Sequence, residues 1–464
     1  MKNQNQARYV MTECGSRFRV PLLRAMRPNL LTHSGMGSAP RTDGPTRPDD
    51  RELRAHIFDH PLILREQDVS SFLKSLVVDL NRLTLPTWMP HEEVISQLDE
   101  DTKDFLRKLE LPCVHGRPSV LLHNLGNFVE EPELQRRVKH VFRPDTPKNA
   151  IFINTSGSGK TRLLFEGLCQ HWGFYFASRR DSSFLGSIDL QNAIESTIPH
   201  DTKFHAILPS STSPEYHTLL ESNNRLAGRA FKRVFLARVL IFHLFVEAVK
   251  SSDNGFTKDH LIDYRRKWLL LQIQPRSFHE IDPFDDLTRK LSEYSDANLD
   301  ELTKAVLRHV RNTLKSCVTS TSSSGCIPLY SIIDEAQFAA TQHPKAFHSD
   351  DAESRSILRP LFRSFYTLTL GHDVFIILAG TGLSQSDVDD TMASAVMKPS
   401  AYRRCYNTGA FEGWEGRNGM SGWVGQFVPD WIFYKRNGEK LKERMDYWLN
   451  GRSGLLSTFM RSPR

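Results

Sequence analysis

The residues best suited to chemistry are Lys160 and Thr161, which follow Gly157 and Gly159 in the segment NAIFINTSGSGKTRLLFEGLCQHWGFYF at 149–176. A primary amine and a hydroxyl behind a small-residue loop suit a polyphosphate. Backbone N–H groups of Asn154, Thr155, Ser156, Gly157, Ser158 and Gly159 can turn inward. With the start of the following helix they would form a positive nest for a β-phosphate. Glycine at 157 and 159 keeps side chains from blocking that approach. Lys160 would reach the β- and γ-phosphates, and the Thr161 hydroxyl would be an inner ligand of Mg2+. Asn154 stands where the pattern G-x-x-x-x-G-K-[ST] has its first glycine; asparagine tolerates a positive φ better than most residues, so the loop can still close. A lone Gly-Lys-Thr can arise by coincidence. A strand before it, a helix after it and a second motif downstream argue against coincidence here.

That second motif is IPLYSIIDEAQ at 327–337, an apolar strand ending in Asp334-Glu335. Two carboxylates at the C-terminal end of a strand lie where parallel sheets bind ligands. Asp334 would hold the Mg2+ shell opposite Thr161, and Glu335 would orient and deprotonate an attacking water. Further on, DVFIILAGTG at 373–382 reads as a third buried strand. Thr381 at its end is a candidate γ-phosphate sensor, with an ordinary strand-to-helix turn as the equal alternative. Arg355, Arg359 and Arg363 would share one face of a helix over 354–370, kinked or restarted near Pro360. One of them could serve a neighbouring subunit as an arginine finger, although a solvated face is the commoner use of such spacing.

These residues need a scaffold. The run Ala150–Ile153 reads as a buried strand, Lys160 onward as an amphipathic helix, and Gly173–Ala177 as a second strand. Long helical patterns follow at 216–250, 258–273 and 299–318, and the wide gap between Lys160 and Asp334 makes 216–318 a large helical insertion. Its basic residues (Arg225, Arg229, Lys232, Arg233 and Arg238, then Arg265, Arg266 and Lys267) could track a phosphate backbone; a solvated face is the commoner explanation. Upstream, helices are expected over 68–83, 91–109 and 132–142, with His123 between them as a hydrogen-bonded structural histidine. Residues 1–50 lack apolar periodicity and are expected to be disordered. The segment TSTSSSG at 319–325 reads as a linker or surface loop. The domain plan is therefore a helical region over 51–145, an α/β parallel-sheet nucleotide domain over 146–386, and a weakly patterned remainder over 387–464 with a helix at 441–449.

Composition excludes several classes. The 464 residues carry 60 basic and 54 acidic side chains, a net charge of +6, too mild to imply nucleic acid by itself. Six scattered cysteines, without a C-x-x-C pair or partnering histidines, argue against a disulfide scaffold or a cysteine-held zinc site and fit a reducing compartment. The first twenty residues lack an apolar signal region. The most apolar run, 234–249, is broken by Arg238, His243 and Glu247, so it reads as a buried helix and not a membrane span. The expectation is a soluble intracellular protein, cytoplasmic or nuclear, with no membrane association.

The pieces NTSGSGKTRLLFEGLCQHWGFYF at 154–176, SIIDEAQ at 331–337, ILRPLFRSF at 357–365, VFIILAGTGLS at 374–384 and YWLNGR at 447–452 resemble the fungal P-loop NTPases related to Crinkler effectors and to the retrotransposon-hot-spot proteins of kinetoplastids. The resemblance spans about residue 119 to the C-terminus. It implies a P-loop sheet of the additional-strand, catalytic-glutamate class with ATP and Mg2+ as cofactors. Lys160 and Thr161 carry over as phosphate and metal contacts, and Asp334 and Glu335 as the hydrolytic pair. The choice of ATP over GTP comes from the resemblance, since no guanine-reading Asn/Thr-Lys-x-Asp motif is present. Family chains continue past the W-L-x-G-R element into a further helical region, so the C-terminal region is expected to be incomplete. No Glu-x-Lys occurs, leaving a nuclease of that type without an active site. The expected function is Mg2+-dependent ATP hydrolysis driving a conformational switch. The alternatives are a helicase-like translocase, for which no second motor domain is found, and a non-hydrolysing nucleotide-binding scaffold or effector. An unidentified protein partner is expected; oligomerisation stays open, and nucleic-acid binding is possible but unsupported.

Overall fold

The computed structural model describes residues 83–144, 149–181, 183–252, 256–257, 260–318, 327–348, 355–383, 402–408, 420–434 and 437–449. The expected disorder over 1–50, nearly all of the helix over 68–83, the linker at 319–325 and the NGR element after residue 449 lie outside these residues.

Five strands form one sheet: β1 (Asn149–Ile153), β2 (Gly173–Ala177), β3 (Leu329–Asp334), β4 (Val374–Gly380) and β5 (Tyr402–Cys405). Their order is β2-β3-β4-β1-β5, and every pairing is parallel. Successive side chains on a strand point to opposite faces, and both faces are apolar here, as an all-parallel sheet requires. Phe174, Phe176, Ile333, Ile376 and Leu378 enter one core; Ala150, Phe152, Tyr175, Ile332 and Ile377 enter the other. The sheet does not end near residue 386. Its fifth strand, YRRC, lies in the stretch left unassigned by pattern, because four residues with two arginines carry almost no strand signal.

Among the described residues the helices of six residues or more are α1 (Glu100–Leu109), α2 (Pro132–Val141), α3 (Lys160–Gln170), α4 (Tyr216–Lys250), α5 (Leu261–Ile273), α6 (Pro283–Lys290), α7 (Asp296–Val318), α8 (Ala336–Thr341), α9 (Leu358–Thr369) and α10 (Gly438–Leu449). The helix expected over 91–109 is broken in two: Asp99 accepts from the Thr102 N–H at 2.7 Å and starts α1 as an N-cap. Pro360 neither kinks nor restarts α9, because it falls in the first turn, where its missing N–H has no intrahelical partner to lose. Arg355 precedes the helix, so only Arg359 and Arg363 remain of the three-arginine face.

The helical insertion over 216–318 packs onto both faces of the sheet. Helices α4 and α9 cover one face, with α7 packed against them; there Phe235 and Phe242 pack against Phe174 and Phe235 against Phe176. On the other face α5 adds Leu269, Leu270 and Ile273 to the core made by α2 and α3. Helix α5 also seals the sheet edge. Gln272 Oε1 accepts from the Tyr175 N–H at 2.8 Å, and Trp268 Nε1 donates to the Gly173 carbonyl at 2.6 Å, satisfying backbone groups of edge strand β2. Several basic residues of this block serve the fold. Arg238 makes a fully buried two-bond ion pair with Asp189, both bonds 2.9 Å, and lies 4.1 Å above the Phe284 ring. Lys232 pairs with Asp300, Arg229 donates to the Tyr294 carbonyl, and Arg265 lies over Trp172.

The apolar run 234–249 is buried inside α4, and among the described residues no helix is long and apolar enough to cross a membrane.

Candidate phosphate site at the C-terminal edge of the sheet

Strand β1 ends at Ile153, and the chain turns through residues 154–159 into α3. Gly157 and Gly159 take φ of +72° and +88°, the left-handed region that the sequence pattern reserves for glycine. Gly159 is the residue before the helix, so its turn sets the direction in which α3 leaves the sheet. Asn154 behaves differently from expectation, since it is not among the residues with positive φ. Its side chain acts as a tie instead. Nδ2 donates to the Tyr406 carbonyl at 2.6 Å and to Thr408 Oγ1 at 2.8 Å, while Oδ1 accepts from the Thr155 N–H at 2.7 Å. The amide thus fastens the loop to the chain leaving β5, a job glycine could not do.

Lys160 is the first residue of α3 and is 6% exposed. Its Nζ donates to the carbonyls of Asn154 and Thr155, both at 2.9 Å, curling the loop around the ammonium. Burial lowers its pKa, opposed by the charges of Asp334 and Glu335. Thr161 Oγ1 donates to Asp334 Oδ2 at 3.0 Å. This contact joins the two motifs, distant in sequence, across the C-terminal edge of the sheet.

Three donors hold Asp334. Besides Thr161, the Tyr175 hydroxyl reaches Oδ2 at 2.9 Å and the Glu335 N–H reaches Oδ1 at 2.9 Å. Even so, burial pushes its carboxyl above the ordinary value, against the pull of those bonds and of Lys160. Glu335 follows with φ +54°, a left-handed conformation that a non-glycine residue adopts at a cost of roughly 1 kcal/mol and that concentrates at functional sites. Burial first, and then the neighbouring Asp334 charge, raise its carboxyl as well. Gln337 Nε2 donates to Glu335 Oε2, and Gln337 Oε1 accepts from the Thr381 N–H at 3.0 Å. Thr381, one residue beyond β4, therefore joins the group through its backbone and Gln337. Strand register explains the gathering: Ile153 pairs with Gly380, Ile333 with Leu378 and Ala177 with Asp334, so the four strand ends finish within a residue of one another.

Two members were not assigned a role from sequence. Gln337 lies within SIIDEAQ, but no periodicity tells an amide that bridges two strand ends from one facing solvent. Tyr175 sits mid-strand, where its ring packs with Phe165 and only its hydroxyl betrays a polar role. His123 is structural, as expected: its Nε2 lies 2.9 Å from the Leu109 carbonyl. Beside it, Arg162 donates to the carbonyls of Leu121, His123 and Asn124, and buried Glu166 accepts from the N–H groups of Gly126 and Phe128. Helix α3 thus carries the N-terminal segment on its own charged side chains.

The residues present suit a divalent cation and a polyphosphate: a hydroxyl and a carboxylate oxygen in contact, a second carboxylate beside them, and a glycine-bent loop around a buried ammonium. Compared with family models, curated proteins and solved structures, the chain matches none.

Proposed function

We propose that the chain binds ATP with Mg2+ through residues 154–161 and hydrolyses it, using the free-energy change to switch the packing of its helical layers. The observation that carries this reading is the 3.0 Å bond between Thr161 and Asp334, which unites a glycine-bent loop with an acidic strand end. The strand order supports it further: β4 lies between the loop-bearing β1 and the acid-bearing β3, the arrangement from which the additional-strand class takes its name.

In this reading the loop N–H groups and Lys160 bind the β- and γ-phosphates, the ammonium exchanging its carbonyl partners for phosphate oxygens. Thr161 and Asp334 would hold Mg2+, which would neutralise charge on the phosphate oxygens. Tyr175 keeps Asp334 oriented. Glu335 takes a proton from the attacking water, its raised pKa making it a better base than an exposed carboxylate. Gln337 fixes that carboxylate and reports to Thr381. Water adds to the γ-phosphorus as the bond to the β-phosphate oxygen breaks, giving ADP and inorganic phosphate. A path to the helical layers runs from Asp334 through Tyr175, whose N–H meets Gln272 of α5, an amide 3.4 Å from Arg238 of α4.

The test is calorimetric titration of a non-hydrolysable ATP analogue with Mg2+, wild type beside Lys160→Ala. Binding on the order of micromolar in the wild type and its loss in the variant are expected, because a charge-assisted contact to phosphate disappears. Equal binding in the two proteins, or none in folded wild type, overturns the assignment.

A further inference from the structure

Away from the phosphate loop, helices α4 and α7 bring together His243, Glu247 and His309. Residues 243 and 247 are four apart on one unbroken helix and therefore share a face. His309 faces them from α7: its Nε2 is 3.5 Å from Glu247 Oε1, and its ring meets that of His243 edge-on at 4.9 Å between centroids. One donor atom from each residue can be chosen so that all three lie within 4.8 Å of one another. Both backbones are held rigidly, since Val246, Ala248, Leu307 and Val310 on either side are completely buried. The three side chains are only partly buried, which leaves access from solvent.

From this geometry we propose a transition-metal site of the Zn2+ class, with His243, Glu247 and His309 as its protein ligands, clamping α4 to α7. Two imidazoles and a carboxylate favour Zn2+, Co2+ or Ni2+ over the all-oxygen coordination of Mg2+ and Ca2+. Bonds near 2.0–2.1 Å place tetrahedral donors roughly 3.3 Å apart, so each side chain must close in by about an ångström, within reach of small χ rotations. A water would fill the fourth, solvent-facing position. Glu247 Oε1 already faces the His309 ring nitrogen at 3.5 Å. Lys250 adds positive charge nearby, which weakens cation binding. The cluster shares no residue with the nucleotide reading and lies toward the opposite end of the sheet. Arg311, two residues beyond His309, pairs at 2.7 Å with Asp373, the residue before β4.

The experiment is a Co2+ titration of full-length, tag-free protein, followed by visible d–d absorption, with Zn2+ displacement as the competing arm. The expected result is a saturable tetrahedral spectrum at one equivalent, bleached by Zn2+. His309→Ala and Glu247→Gln should each weaken binding by at least about a hundredfold, since loss of an outer-shell partner alone costs 10–100-fold. Glu247→Gln is nearly isosteric and decides the question if His309→Ala fails to fold. No saturable Co2+ spectrum in the wild type, or unchanged affinity in the folded variants, overturns the site.

Discussion

Asn154→Gly is the substitution on which pattern and structure disagree most sharply. It restores the glycine of the phosphate-loop pattern, and by pattern alone it should be neutral or beneficial. The structure assigns it a penalty. Asn154 does not use positive φ, so glycine relieves no strain, and three side-chain hydrogen bonds disappear. At roughly 0.5 kcal/mol each, the low end for exposed groups, plus roughly 0.5 kcal/mol for the added freedom of glycine, the loss is about 2 kcal/mol. Two of the three bonds tie the loop to residues 406 and 408, so the damage should concentrate on β5 and the chain after it. The two bonds to residues 406 and 408 make up about 1 kcal/mol of that loss, which raises the opening equilibrium of this segment roughly fivefold. Hydrogen exchange of peptides covering 402–408 should therefore accelerate by about that factor, while β3 and β4 stay protected. Unchanged exchange over 402–408, or a variant more stable than wild type, refutes the tie.

Glu335→Gln should retain nucleotide binding while slowing phosphate release by about 10²-fold or more, measured in single turnover. The acid limb of the kcat/KM profile, which reports the free enzyme, should lie above the range of an exposed carboxylate, because Glu335 must be ionised and burial and the Asp334 charge raise its pKa; a limb at ordinary carboxylate pH removes it as the base. In ligand-free protein Asp334 is likewise raised, so its contribution to stability is fully present below about pH 4, its unfolded value, and is lost as pH rises through the folded one. Asp334→Asn should flatten that fall, read as the difference in Tm from wild type between pH 4 and 7. Arg238→Met should cost about 3–5 kcal/mol by stranding the buried Asp189 carboxylate, and Asp189→Asn in the same chain should recover part of it in urea unfolding. If the double variant is as unstable as the single one, packing of the arginine over Phe284 matters more than the charge pair.

How much of this was readable in advance follows from the range of the interactions. The sequence alone determined the glycine-bent loop at 154–159, because glycines at 157 and 159 and the strand and helix around them are local requirements of backbone geometry. It also determined four of the five strands and the long helices, whose apolar runs and periods are written residue by residue. The fifth strand escaped because YRRC derives its strand character from pairing with β1, not from its own side chains. The tertiary structure alone decided that Asp334 meets Thr161, and that Tyr175 and Gln337 complete the group. It alone decided how the helices of the 216–318 insertion divide between the two faces of the sheet. Those outcomes depend on strand order and register, which bring distant residues level at one edge, and no local pattern encodes that order. Asn154 shows the limit within a single residue: its departure from the glycine pattern was visible at once. Its purpose appeared only when Tyr406 and Thr408, far along the chain, folded back against it.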